Sequence, residues 1–395
     1  MLAPIRADRE GRWADFARSL LLYLVTRTAL AVFVWLAGQH YDCHGSRCLD
    51  HHLFPENFLF SGLFQWDALQ YRQVIERGYY VGADFDTTAP FFPAFPGLAW
   101  LTGKALATTP LVGGIVLNHL CSIGGAFFIA RLCRCLRIGE GAESGQAVAR
   151  ESTLFWLASP LSFFFCVFLT ESLFAFSSVL MLWSVARGRW VVALIAGVTV
   201  SATRNAGIIV VACAVLLAWE RRREVKVSLL GWICLTLSPA GFVAFLTYQH
   251  VQLGDMMAWK DTQLRWNRFF TTPWRTIKDD WIALPNLNPA LRNVDAMYRT
   301  QELLALSLVA PLFVVVRRMN IPWSIWLLGL AEWVLPLTTH AIPSAARYQA
   351  GNVYFALAIP ALLACRPMLR GVSWMLFGMV IAWYASTYPF GVWAS

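Results

Sequence analysis

Apolar residues along this chain gather into long runs separated by short polar tethers, and many of the tethers are rich in arginine. A helix needs ~20 apolar residues to cross ~30 Å of hydrocarbon. On that measure the pattern predicts about eleven crossings, near residues 19–37, 110–130, 152–168, 172–186, 190–203, 206–219, 227–248, 302–316, 321–339, 349–365 and 372–388. Several middle runs are short, so 152–219 leaves room for a re-entrant or interfacial helix.

The arginines orient the array. Arg6, Arg9, Arg12 and Arg18 precede the first run, which places the N-terminus in the cytoplasm. Alternating sides from there, Arg131/Arg134/Arg137/Arg150, Arg187/Arg189, Arg221/Arg222/Arg223/Lys226, Arg317/Arg318 and Arg366/Arg370 all fall on the cytoplasmic side. Moving or deleting one run would break that agreement. The outer side then receives residues 38–109, hinges at Thr170–Ser172 and Thr203–Asn205, residues 249–301, the 340–348 turn and the C-terminus. The first run has no small-residue cleavage site and reads as a retained span. No internal repeat is visible. The expected fold is one all-α integral membrane domain over residues 1–395, with a first extracytoplasmic loop at 38–109 and a second at 249–301.

Composition strengthens the bilayer reading. Hydrophobic residues make up 58% of the 395 and charged ones 14%, where soluble domains carry about a quarter charged. Nineteen Trp and eleven Tyr suit aromatic belts at the two interfaces. The net charge of +9 does not point to nucleic acid, because the bases sit in small groups beside apolar runs rather than in a basic module interleaved with aromatics. Membrane lipids are the partner that this pattern fits. Seven cysteines (Cys121, Cys133, Cys135, Cys166, Cys213, Cys234 and Cys365) lie in or beside apolar runs and read as small buried hydrophobes. Cys43 and Cys48 lie in the first outer loop, spaced to close a small ring, and in an oxidising compartment they would form a disulfide. The alternative is a metal site from Cys43, His44, Cys48, His51 and His52. That spacing matches no standard zinc pattern, so no metal is expected.

Candidate chemistry starts at residues 64–96. A helix is predicted from Trp66 to Arg77, with Asp67 in its first turn, where the dipole favours a carboxylate, and Gly78 as its stop. The Pro-aromatic strip Phe91-Phe92-Pro93-Ala94-Phe95-Pro96 is expected to run extended, because Pro93 and Pro96 lack donors. Phe91, Phe92, Pro93, Phe95 and Pro96 would then form a rim facing lipid. Four further polar features fall on the same side as this strip: Trp66-Asp67 with Gln65, Thr170-Glu171-Ser172, Thr203-Arg204-Asn205 and Ser344 to Tyr348. Nothing in the apolar pattern requires these motifs to share a side. Any one charge at the edge of an apolar run can be a snorkelling interfacial group. Charges at membrane depth cost at least ~2.5–3.5 kcal/mol, so several converging ones point to a site.

The residue types suggest a reaction. Asp67 can take the proton of an acceptor hydroxyl as that oxygen attacks. Arg204 and Arg347 can hold the phosphate of a lipid-phosphate donor by charge-assisted hydrogen bonds. Glu171 can position the acceptor or an arginine, and Asn205 and Tyr348 can bind sugar hydroxyls. No Gly-rich phosphate loop is present for a nucleotide sugar. Lys104 and His340 are lesser phosphate candidates. The 249–301 loop, with Trp259, Trp266, Trp274 and Trp281, reads as an amphipathic surface helix. Glu332 reads as a helix-packing group.

Gln65-Trp66-Asp67 with Gly78-Tyr79 and the FFPAFP strip resembles the first luminal loop of the PIG-V-type mannosyltransferases. Ser159-Pro160 through Thr170-Glu171-Ser172-Leu173-Phe174-Ala175, Ala202-Thr203-Arg204-Asn205-Ala206-Gly207 and Arg347-Tyr348 resemble further signatures of that family, in the same order. The resemblance covers residues 65–348. It implies a GT-C bundle, a polyprenyl- or dolichyl-phosphate-mannose donor, a lipid-linked or glycan acceptor, a catalytic acid at Asp67, and no cofactor or metal. Asp67 is followed by Ala68, where many GT-C enzymes carry two adjacent acids, and the arginine hinge departs from the expected Arg-Ser-Asn-Gly. The location implied is a prokaryotic plasma membrane, or the ER membrane in a eukaryote, with the site extracytoplasmic. The rival class is a polytopic transporter or lipid flippase. That class typically shows inverted repeats and midplane charges, whereas the polar motifs here gather at one face.

Overall fold

A computed structural model describes residues 3–40, 58–139, 145–283, 292–315, 319–340, 342, 344–364 and 366–388. The described residues are almost wholly helical; one isolated bridge joins Val81 to Thr87. Among the described residues four helices are long and apolar enough to cross a membrane: Phe16–Leu36, Pro110–Cys135, Leu229–Leu253 (bent at Pro239) and Pro367–Thr387. Six shorter apolar helices join them: Glu171–Ala186, Trp190–Ser201, Gly207–Glu220, Thr300–Val314, Trp323–Leu337 and Val353–Ala364. On the outer faces Leu229, Leu308, Val314 and Met368 stay at least 75% exposed, a surface that hydrocarbon rather than water would cover. The chain is an integral membrane protein with an all-α fold.

At the centre stands Glu171–Ala186, buried along nearly its whole length. It packs between Pro110–Cys135, Trp190–Ser201 and Gly207–Glu220. Two of the predicted crossings are broken, and proline explains each. The 152–168 run is a helix only as far as Ala158; Ser159-Pro160 ends it, and a 3₁₀ turn, Pro160–Phe165, follows. The next residues to Thr170 are buried non-helical backbone, which apolar surroundings tolerate only when its polar groups are met. Asn118, inside Pro110–Cys135, meets two of them: its amide donates to the Val167 carbonyl at 2.6 Å and the Leu169 carbonyl at 2.9 Å. In the 227–248 run, Ser238-Pro239 separates Leu229–Leu237 from Ala240–Leu253.

Residues 58–109 fold back onto the bundle. Asp67–Arg77 is the helix expected there, and Gly78 closes it at φ 75, a conformation that glycine adopts without strain. The Pro-aromatic strip departs from expectation. Pro93 sits at the N-cap of a helix, Ala94–Ala105, because a proline in the first turn removes only donors that have no partner there anyway. Phe95 and Pro96 are buried in that helix, and Phe92 is buried just before it; Phe91 and Pro93 are half-buried. Phe95 wedges between Tyr71 and Phe168, with ring centroids 5.5 and 5.0 Å away. Phe92 packs on Phe242, Phe245 and Trp259. The strip is therefore a core wedge, and the lipid-facing rim does not form from Phe92, Phe95 or Pro96. Gly113 lets this helix lie against Pro110–Cys135, since a Cβ there would stand 2.3 Å from the Gly103 nitrogen. Cys43 and Cys48, with the histidines between and after them, lie outside the described residues.

Candidate active site

Four segments far apart in the chain converge at the N-terminal end of the central helix. Asp67 opens Asp67–Arg77, and Trp66 just before it takes φ 58, a left-handed value that costs a bulky non-glycine residue of order 1–3 kcal/mol. The turn is fastened from below. Buried Gln65 accepts at its carbonyl from the Tyr388 hydroxyl at 3.2 Å, and the Phe168 amide donates to the Leu63 carbonyl at 3.0 Å. Glu171 follows the Asn118-braced segment as the first residue of its helix, where the dipole favours a carboxylate. Arg204 lies in the hinge between Trp190–Ser201 and Gly207–Glu220; the Ala94 amide ties that hinge to the first loop, donating to the Ala202 carbonyl at 2.9 Å. Arg347 sits in a single helical turn, Ala345–Tyr348, entered through Ser344 at φ 74.

Their side chains form one ion-pair cluster. Arg347 Nη2 donates to Asp67 Oδ2 at 2.5 Å across 280 positions of sequence, and its Nε pairs with Glu171 Oε1 at 3.2 Å. Arg204 Nη1 donates to the same Glu171 oxygen at 3.2 Å. The Glu171 side chain is 2% exposed and that of Arg347 4%, whereas Asp67 is 32% and Arg204 17%. Asp67 and Arg204 are therefore the more exposed members of the cluster, and Glu171 and Arg347 the buried ones. Burial alone would lower the Arg347 pKa, but the Asp67 and Glu171 carboxylates hold it well above its usual value. Tyr71, one helical turn on from Asp67, is buried; burial first and the Asp67 charge second raise its hydroxyl above the ordinary phenol range.

Tyr348 gathers the cations. The Arg204 guanidinium lies 4.4 Å from its ring centroid, Arg347 5.4 Å and Arg268 5.5 Å. Each is within the ~6 Å at which a ring face attracts a cation. Three guanidiniums thus surround one tyrosine ring, and two of them, Arg204 and Arg347, are paired with carboxylates of the cluster. Among the described residues Glu171 Oε2 is buried without a hydrogen bond, and Asp67 has one carboxylate oxygen on Arg347. Carboxylates and guanidiniums held together in this way can accept a proton at one point and bind an anion at another.

Of the residues singled out from sequence, Asp67, Glu171, Arg204, Arg347 and Tyr348 meet here, with Gln65 and Trp66 supporting Asp67. Asn205 does not join them. It is exposed, and its Oδ1 accepts from the Ala206 amide at 2.9 Å. Lys104 lies over Trp100, and His340 stacks on Phe269 with Nε2 3.2 Å from Asp279 Oδ2, so neither enters the cluster. Glu332 is buried in Trp323–Leu337, and neither carboxylate oxygen has a hydrogen-bond partner among the described residues. The sequence reading missed Arg268, which the segment after Ala240–Leu253 carries to Tyr348. Its signal is the aromatic run around it, Trp266 to Phe270.

No family model matches the chain, and no curated protein matches it. Among solved structures, ArnT from Cupriavidus metallidurans, bound to undecaprenyl phosphate, is similar at 14% identity and a TM-score of 0.49, over 90% of this chain and 62% of that one. The oligosaccharyltransferase AglB from Archaeoglobus fulgidus, in complex with an inhibitory peptide and a dolichol-phosphate, is similar at 12% identity and a TM-score of 0.38, over 85% of this chain and 51% of that one. This chain thus spans less than two thirds of the length of either.

Proposed function

We propose that the chain is a membrane glycosyltransferase that moves a hexose, mannose by the family resemblance, from a polyprenyl- or dolichyl-phosphate sugar to a lipid-linked or glycan acceptor on the extracytoplasmic face. One observation carries the reading: a half-exposed carboxylate, Asp67, is fixed by a buried arginine beside two further guanidiniums over one tyrosine ring. That is the charge pattern a lipid-phosphate leaving group and an incoming hydroxyl need together.

In this reaction the acceptor oxygen attacks the anomeric carbon from the face opposite the phosphate, so the configuration inverts. The new C–O bond forms as the sugar–phosphate bond breaks, and the departing lipid phosphate keeps the bonding pair. Asp67 Oδ1 takes the acceptor's proton, while Oδ2 stays on Arg347 and sets the carboxylate's direction. Proton removal of this kind contributes ~10²–10⁴-fold. Arg204, with Arg268 across Tyr348, meets the negative charge that develops on the phosphate. Arg347 is engaged with two carboxylates, so its first task is to hold Asp67 and Glu171, and any contact with phosphate comes second. Glu171 anchors both arginines through one oxygen, and so sets the position of the guanidiniums that face the substrate.

A donor-by-acceptor screen on membranes containing the protein tests the reading, with polyprenyl-phosphate mannose, polyprenyl-phosphate glucose and candidate lipid acceptors. Transfer from a lipid-phosphate sugar, with mannose preferred, is the expected result. Membranes that transfer from none of these donors would overturn it.

A further inference from the structure

Arg347 is aimed by a turn that cannot support itself. Ala345–Tyr348 is a single helical turn set among buried residues, and Ser344 enters it at a positive φ. Backbone of this kind, enclosed at membrane depth, persists only when other groups satisfy its amides. Glu302 does so. It lies on Arg292–Val309, the helix that follows the second outer loop, and it is 1% exposed. Its Oε1 accepts from the Ser344 amide at 2.7 Å and its Oε2 from the Ala346 amide at 2.6 Å. One carboxylate thus grips both ends of the turn's entrance. One helical turn further along the same helix, Leu306 packs in a small buried cluster with Leu337, Ile342 and Ala345, which seats the same segment from its apolar side. Downstream, Gln349 and Asn352 donate their side-chain amides to the Glu332 carbonyl at 3.3 Å and the Gly329 carbonyl at 3.1 Å. The turn is therefore held at both ends, and the side chains it presents are Arg347 and Tyr348 of the cluster.

We propose that Glu302 is a positioning residue for the transfer reaction: through the Ser344 and Ala346 amides it fixes Arg347, and through Arg347 the direction of Asp67. This rests on the glycosyltransferase reading for its kinetic consequence and on none of it for its mechanical one. Glu302 touches no reacting atom. A glutamine at 302 keeps the size but offers one acceptor oxygen in place of two, and its amide hydrogens face a backbone N–H. An aspartate keeps both acceptor oxygens on a shorter arm.

The test uses the full chain in detergent or nanodiscs, comparing wild type with Glu302→Gln, Glu302→Asp, Arg347→Lys and the double variant Glu302→Gln/Arg347→Lys. Amide exchange is followed on the peptide spanning 342–349, and transfer is measured with polyprenyl-phosphate mannose. In Glu302→Gln, exchange in that peptide should quicken at least tenfold, with the Glu171–Ala186 peptide unchanged. Turnover should fall at least tenfold while the donor KM moves less than threefold, and Glu302→Asp should regain part of the turnover. On the Arg347→Lys background the glutamine should cost less than a further twofold, since its path to Asp67 is already impaired. Unchanged exchange at 342–349 overturns the proposal, as does a full multiplicative loss in the double variant. If the wild type transfers no sugar, the glycosyltransferase reading fails, and the exchange result alone decides whether Glu302 holds the turn.

Discussion

Removing Arg347 should cost the fold more than any other single change in the cluster. Arg347→Ala deletes the partner of Asp67 and one of the two partners of Glu171, whose carboxylate is 2% exposed. Two unit charges ~4 Å apart interact by about 4 kcal/mol at an effective dielectric of ~20. Deleting one member of a buried pair leaves the other charge uncompensated, at a measured cost of about 3–5 kcal/mol. Arg204 still reaches Glu171 at 3.2 Å, and Asp67 is half-open to water, so the lower end, about 3 kcal/mol, is the expected loss. Thermal unfolding in one detergent at fixed protein concentration measures it. The companion variant decides the cause. Glu171→Gln placed on Arg347→Ala removes the stranded carboxylate and should return about 1 kcal/mol or more, a coupling of the size contacting residues show. Arg347→Lys should keep the charge but not both pairs, because one ammonium cannot replace Nη2 on Asp67 and Nε on Glu171 together. An Arg347→Ala protein within 1 kcal/mol of wild type, or a double variant that loses stability further, would refute the cluster as an energetic unit.

Other predictions address the remaining assignments. Arg204→Ala and Arg268→Ala should each raise the donor KM about tenfold, or ~1.4 kcal/mol, with smaller change in acceptor KM; unchanged donor dependence in both would remove their phosphate role. Phe95→Ala should destabilise by about 3–5 kcal/mol as a core cavity, measured by thermal unfolding, whereas a lipid-facing Phe95 would give almost no loss. Tyr71 is raised in the folded protein above the usual tyrosine value of about 10. The stability it contributes is therefore complete below pH ~10 and is lost as pH climbs towards the folded value, since the unfolded chain ionises first. Tyr71→Phe should flatten the fall in melting temperature between pH 9 and about 11; an identical slope would count against a buried, proton-retaining Tyr71.

Much of this site could be read in the sequence, for physical reasons. The Asp67 helix and its Gly78 stop follow from local signals, a carboxylate in the first turn and a glycine after the last. Glu171, Arg204 and Arg347 stood out because charges at the ends of apolar runs are costly, and the arginine tethers fixed which ends share a side. What the sequence could not show depends on tertiary satisfaction. Pro93 and Pro96 forbid a helix interior but not a helix start, so the FFPAFP strip enters a helix and turns inward against Tyr71 and Phe168. Buried non-helical backbone at 166–170 reads as part of a span until Asn118 is seen donating to two of its carbonyls. Arg268 and Glu302 lie in or after a loop that looks amphipathic, and only the packing brings one to Tyr348 and the other to the Arg347 turn.

The most direct test of the account is single-turnover transfer by Asp67→Asn in nanodiscs, alongside donor binding by the same preparation. The account predicts transfer reduced at least 10²-fold, the lower range for a lost general base, with folding and donor affinity near wild type. Near-normal transfer by that variant would contradict it.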